Sequence, residues 1–167
     1  MKTDNSNITR WILPKPINND EIQNCTINHT LQKVLRRRGI NLENELIDFL
    51  KPSELPNPEY HFNDLKKATQ RIIDACISNE KIAICGDYDA DGITSTVLLF
   101  ELLTKLGGEA ISYIPSRQDD GYGLNIKMIN DIYSKGIKLI ITVDNGISAF
   151  DAIKRSNELD IDLIITD

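Results

Sequence analysis

Long apolar runs are missing from this 167-residue chain, which nowhere strings together the roughly 20 apolar residues of a membrane span. The opening M-K-T-D-N-S-N also lacks the apolar stretch of a secretory signal, so a soluble, cytoplasmic protein is expected. Cysteine is scarce. Cys25, Cys76 and Cys85 are odd in number and form no C-x-x-C pair, which argues against a disulfide framework or a zinc knuckle and fits a reducing compartment. Histidine is scarcer still, and His29 and His61 stand without ligand spacing, so both read as structural. Internal repeats and low-complexity segments are absent. With no secretory route expected, the N-x-T triplets at Asn7, Asn24 and Asn28 read as polar residues near turns and helix caps.

What is present is a hydrophobic fraction of 41%, enough for one ordinary domain or a domain with an extension. The net charge of -6 is uneven: residues 80–167 hold eight Lys and Arg against fifteen Asp and Glu, while the first 79 residues are near neutral. Bulk charge of this sign cannot attract a nucleic acid, so any such contact must run through cations or local basic patches such as Arg36-Arg37-Arg38. That arginine run reads more simply as a solvated helix face.

From Lys81 onward, short β-branched runs alternate with stretches of helical period. The runs at Lys81 to Cys85, Ala110 to Ile114, Lys138 to Val143 and Asp162 to Thr166 predict strands, three of them apolar almost throughout, as parallel strands covered on both faces are. Helices are expected at Ile93 to Leu106, Ile126 to Lys135 and Ser148 to Glu158. The pattern predicts an α/β fold, a doubly wound and mainly parallel sheet with right-handed crossovers, over residues 63–167. Residues 1–62, broken by Pro14, Pro16, Pro52, Pro56 and Pro58, read as a helical or irregular extension with short helices at Leu31 to Arg38 and Glu43 to Leu50. A stronger helix is expected from an N-cap at Asn63 to Ile77.

The chemistry concentrates after the first strand, where Asp87, Asp89 and Asp91 alternate before Gly92 and a helix beginning I-T-S-T. Ligands of open α/β sheets bind at the carboxyl ends of the strands, and three crowded carboxylates repel unless a cation neutralises them. Hard oxygen donors at this spacing suit magnesium or manganese; the bland alternative is an acidic turn with Asp91 capping the helix. D-Y-D-A-D-G also opens like an EF-hand loop, but position twelve is Leu98 rather than Glu and a strand precedes the loop, so the EF-hand is rejected. A phosphatase of the haloacid-dehalogenase type, with its nucleophilic Asp after a strand, stays as a secondary reading. Asp144 and Asp167 end the third and fourth strands at the same rim, as convergence on a cation pair requires. In the loop I-P-S-R-Q-D-D-G-Y-G-L-N, Arg117 is a candidate phosphate partner and Tyr122 a candidate stacking residue, or the whole is a turn with a packed tyrosine.

Together, G-D-Y-D-A-D-G-I-T-S-T, the I-P-S-R loop with its G-Y-G and T-V-D-N-G-I resemble the DHH phosphoesterase superfamily. Trp11, R-R-G-I at 37–40 and F-L-K-P at 49–52 extend the likeness toward its bacterial exonucleases for single-stranded DNA. The resemblance implies a 5′ to 3′ exonuclease using manganese or magnesium in DNA repair and recombination, with single-strand-binding and repair proteins as partners. It makes Asp87, Asp89 and Asp144 metal-binding and catalytic, and gives Asp91 a role in shaping the loop or capping the helix. Cys85 stands where some relatives have a metal-binding histidine, although a thiol there is more simply a buried residue closing the strand. Asp167 corresponds to the first residue of the D-H-H signature, so the expectation is a fragment with little or no activity alone. Two alternatives remain open: a non-catalytic scaffold that binds replication or repair partners, and a smaller enzyme of the superfamily acting on pyrophosphate or oligonucleotides.

Overall fold

Helix α1, His29–Arg37, starts where the Asn28 side chain accepts the Thr30 N–H at 2.8 Å, and α2 follows at Glu43–Leu50. The computed structural model describes residues 12–17, 27–40, 43–51, 56–116 and 121–167. Trp11, Cys25, Pro52 and the triplets at Asn7 and Asn24 lie outside them. The chain divides into two compact units, Met1–Pro56 and Asn57–Asp167.

The second unit opens with α3, Pro58–His61, capped by the Asn57 side chain on Glu59 N–H at 2.9 Å and started by a proline whose missing N–H costs nothing there. This extra turn corrects the expected cap of the next helix, α4, Leu65–Ile77. Asn63 falls in the turn that leaves α3, and Asp64 takes the cap position without a side-chain bond. Four strands follow, β1 Lys81–Cys85, β2 Glu109–Tyr113, β3 Leu139–Val143 and β4 Asp162–Thr166, alternating with α5 Ala90–Lys105, α6 Ile126–Ser134 and α7 Phe150–Glu158. All pairings are parallel, in the order β2-β1-β3-β4, so the fold is the doubly wound α/β sheet expected.

Side chains alternate across the sheet with period two, which sorts the core into two layers. Ile82, Ile84, Leu139, Ile141 and Val143 face α4 and α5, where Ala75, Cys76 and Leu103 meet them. Ala83, Cys85 and Ile140 face α6 and α7 and pack on Met128, Ile129, Ile132 and Ala152. Each fully buried isoleucine contributes about 1.5 to 3 kcal/mol. At the strands' amino ends, Arg71 of α4 donates to both Glu80 oxygens, at 2.8 and 2.7 Å, and to Asp162 at 2.7 Å. Sheet and helix are thereby locked at the edge opposite the carboxylates. Among the described residues no helix is long and apolar enough to cross a membrane.

Candidate functional site

The chain leaves β1 through Gly86, whose N–H donates to Tyr113 O at 3.0 Å and carries the β1–β2 pairing one step further. The loop then presses against the first turn of α5. A Cβ on Gly92 would come within 2.6 Å of the Asp87 backbone nitrogen and oxygen, and one on Gly86 would strike the Thr96 hydroxyl. Only glycines permit this approach. Helix α5 starts earlier than its apolar pattern indicates because Asp89, in extended conformation, accepts the N–H groups of Asp91 at 3.1 Å and Gly92 at 3.0 Å. Asp89 is therefore the cap, not Asp91. Asp91 lies exposed in the first turn, where its charge suits the positive end of the helix dipole.

The strand order makes β1 and β3 neighbours whose crossovers leave in opposite directions, and at such a switch point open α/β sheets bind ligands in a crevice between the carboxyl ends of the strands. Asp87 follows β1 and Asp144 follows β3, so the two carboxylates flank that crevice. Asp87 is 1% exposed, and neither of its carboxylate oxygens has a hydrogen-bond partner among the described residues. Buried carboxylates are ordinarily paired, hydrogen-bonded or bound to a metal, so this one is an orphan that a cation would satisfy. Asp144 is half-buried and holds a left-handed backbone at φ 58°, a conformation Asp tolerates better than most residues, with its N–H donating to Thr166 O at 2.9 Å. Burial, then the negative field of Asp89, Asp91, Asp167 and Asp87, pushes its carboxyl above the usual range. Asp167 ends β4 at the same rim, and its carboxylate accepts the Ile147 N–H at 2.9 Å, pinning the loop after β3.

Tyr122 stands 64% exposed beside this rim, its hydroxyl 3.4 Å from Asp144 O and its ring edge-to-face with Tyr88 at a centroid distance of 6.3 Å. Desolvation, then the charges of Asp87, Asp144, Asp167 and Asp89, raise its phenol. Arg117 lies outside the described residues. Cys85 is fully buried in the layer under α6 and α7, and burial pushes its thiol up to about 12, as befits a packed residue closing a strand. A cleft of about 630 Å³ opens between the first turns of α6 and α7, lined by Leu124, Asn125, Lys127, Ser148, Phe150 and Asp151.

The expected ligands thus share one rim, but among the described residues no three His, Cys, Asp or Glu stand close enough to hold a metal ion together. Asp89 already spends one oxygen on the helix cap, which leaves its other oxygen for a cation. Hard carboxylate oxygens and an unpartnered buried acid fit a divalent cation in kind; the donor set fits it as part of a shell. Two residues escaped the reading of the sequence. Tyr88, inside D-Y-D, supplies the ring against Tyr122. Asn145, 1% exposed, binds the ends of β1 and β3 and the loop before α6 through its amide. The only signal for Asn145 was its place in T-V-D-N-G-I, where the neighbouring aspartate drew the reading.

The N-terminal domain of the DHH family matches residues 81–167. The single-stranded-DNA-specific exonuclease RecJ of Bacillus subtilis is 38% identical over 164 residues, covering 95% of this chain and 21% of that protein. RecJ of Haemophilus influenzae is 38% identical over 148 residues, 87% of this chain and 25% of that protein. The chain therefore spans about a fifth to a quarter of the length of these relatives. A crystal structure of exonuclease RecJ bound to manganese superposes with a TM-score of 0.57 at 32% identity, over 62% of this chain and 26% of that one. RecJ from Thermus thermophilus in complex with Mn2+ gives 0.55 at 26% identity, over 79% and 18%. With the glycine-hinged aspartate loop, the strand-end carboxylates and more than half of its length matched to the family's N-terminal domain, the chain belongs to the DHH family.

Proposed function

We propose that the chain supplies part of the metal centre of a RecJ-type exonuclease that hydrolyses single-stranded DNA from its 5′ end in the cytoplasm. The observation that carries this reading is Asp87, a carboxylate 1% exposed at the carboxyl end of β1, with neither oxygen partnered among the described residues. Asp87 and Asp144 would hold a divalent cation, Mn2+ or Mg2+, and Asp89 would offer the oxygen its cap leaves over. A bound cation pair supplies Lewis-acid polarisation of the phosphate and activation of water. The chain's own residues orient: glycine contacts hold the Asp87 loop against α5, the Asp89 cap fixes its far end, and Tyr122 and Tyr88 offer rings to a base or sugar beside the rim.

The donor set, incomplete among the described residues, supports little or no turnover by this chain alone. The same observation favours a non-catalytic scaffold as the second reading. Differential thermal melting with and without Mn2+ separates them. The metal reading expects Mn2+ to raise the melting temperature of the chain and Asp144→Asn, which keeps the left-handed backbone, to lose at least half of that rise. An unchanged rise in Asp144→Asn removes that residue from the site, and no rise in the parent chain favours the scaffold. Rapid digestion of 5′-phosphorylated single-stranded DNA by the purified chain would contradict the proposed inactivity.

A further inference from the structure

One buried amide joins the three segments that meet at the rim. The Asn145 Nδ2 donates to Cys85 O at 3.0 Å and to Val143 O at 2.9 Å, the last carbonyls of β1 and β3, while its Oδ1 accepts the Leu124 N–H at 3.1 Å. Asp87 lies two residues beyond Cys85, Asp144 lies between Val143 and Asn145, and Tyr122 lies two residues before Leu124. Gly123, with φ 65°, packs against the same side chain so closely that a Cβ would come within 3.3 Å of its Oδ1. An amide is required by this geometry, because it alone offers two donors and an acceptor on one short side chain. Serine has one donor, an ionised aspartate has none, and leucine offers neither function.

We infer that Asn145 is a positioning residue: it sets the separation of the Asp87 and Asp144 carboxylates across the β1–β3 crevice and holds the G-Y-G loop to the same frame. The inference rests on the metal reading above and deepens it. It touches no substrate and acts through the backbone that carries the ligands, as the outer partners of metal ligands do.

The test is Mn2+ affinity of the full chain, from the electron paramagnetic resonance signal of free Mn2+, beside hydrogen exchange of the Leu124 amide. Asn145→Ala is compared with a core variant of matched melting temperature, Ile132→Val or Ile132→Ala, a residue in the last turn of α6 that packs into the core layer. Asn145→Ser replaces Asn145→Ala if the latter does not fold. Asn145→Ala should weaken Mn2+ binding about 10- to 100-fold and speed exchange of the Leu124 amide, with the core variant within about twofold of the parent in both. Affinity of Asn145→Ala within twofold of the parent, or equal weakening in the core variant, overturns the positioning role and leaves the metal reading standing. A parent chain that binds no Mn2+ overturns the metal reading, and the positioning role with it.

Discussion

Asp87 concentrates the cost of the site in one side chain. A buried carboxylate with no hydrogen bond among the described residues forgoes hydration without compensation, so the fold carries it at the expense of stability, a cost that the proposed cation would relieve. Asp87→Asn removes the charge and keeps the shape; without metal it should be more stable than the parent by about 1 to 3 kcal/mol in urea denaturation. Loss of stability instead would mean that Asp87 is satisfied within the fold. Cys85, two residues earlier, gives a pH prediction. Its thiol is pushed up from the ordinary 9.0 to about 12, so the folded chain keeps a proton that the unfolded chain gives up. The stabilisation from this difference is whole below pH 9 and declines as pH rises toward 12. Between pH 8 and 11, the urea midpoint of the parent should therefore fall more steeply than that of Cys85→Val. Asp87 was legible as a candidate in the sequence, whereas its solitude was not, because burial without a partner depends on the neighbouring loops and helices.

At the scale of the element, Asp89 joins local structure to chemistry. It caps α5 and stands in the proposed ligand set, and the two roles respond differently to substitution. Serine caps as well as aspartate but is a poor ligand for a hard cation. Asp89→Ser should hold stability within about 0.5 kcal/mol while weakening the Mn2+ response, whereas Asp89→Ala should lose about 0.5 to 2 kcal/mol and the response together. Equal melting temperatures for Ser and Ala would show that the cap carries no weight. The helix itself was visible in its apolar period, but its start was read three residues late, since Asp91 and Gly92 look like loop until the Asp89 cap is seen to satisfy their N–H groups. The cap falls at Asp64 rather than Asn63 for a related reason: Asn57 and Pro58 start a short helix upstream and shift the turn to Asn63 and Asp64.

Over the whole molecule, the parallel sheet was legible because its strands are continuous β-branched runs with glycine or aspartate at their carboxyl ends. Strand order was not, since β2-β1-β3-β4 depends on which side each crossover takes. That order makes the aspartates after β1 and β3 neighbours. It also explains why Asn145 was missed: its amide spans from β3 to the end of β1 and to a loop 21 residues earlier in the chain, contacts that no local pattern contains. The metal centre proposed for this crevice depends on Asp87. Calorimetric titration of Mn2+ into the purified chain and into Asp87→Asn tests it most directly. Saturable binding by the parent, weakened at least tenfold in Asp87→Asn, is the predicted result; equal binding by both would remove Asp87 from the site, and no binding by the parent would remove the site itself.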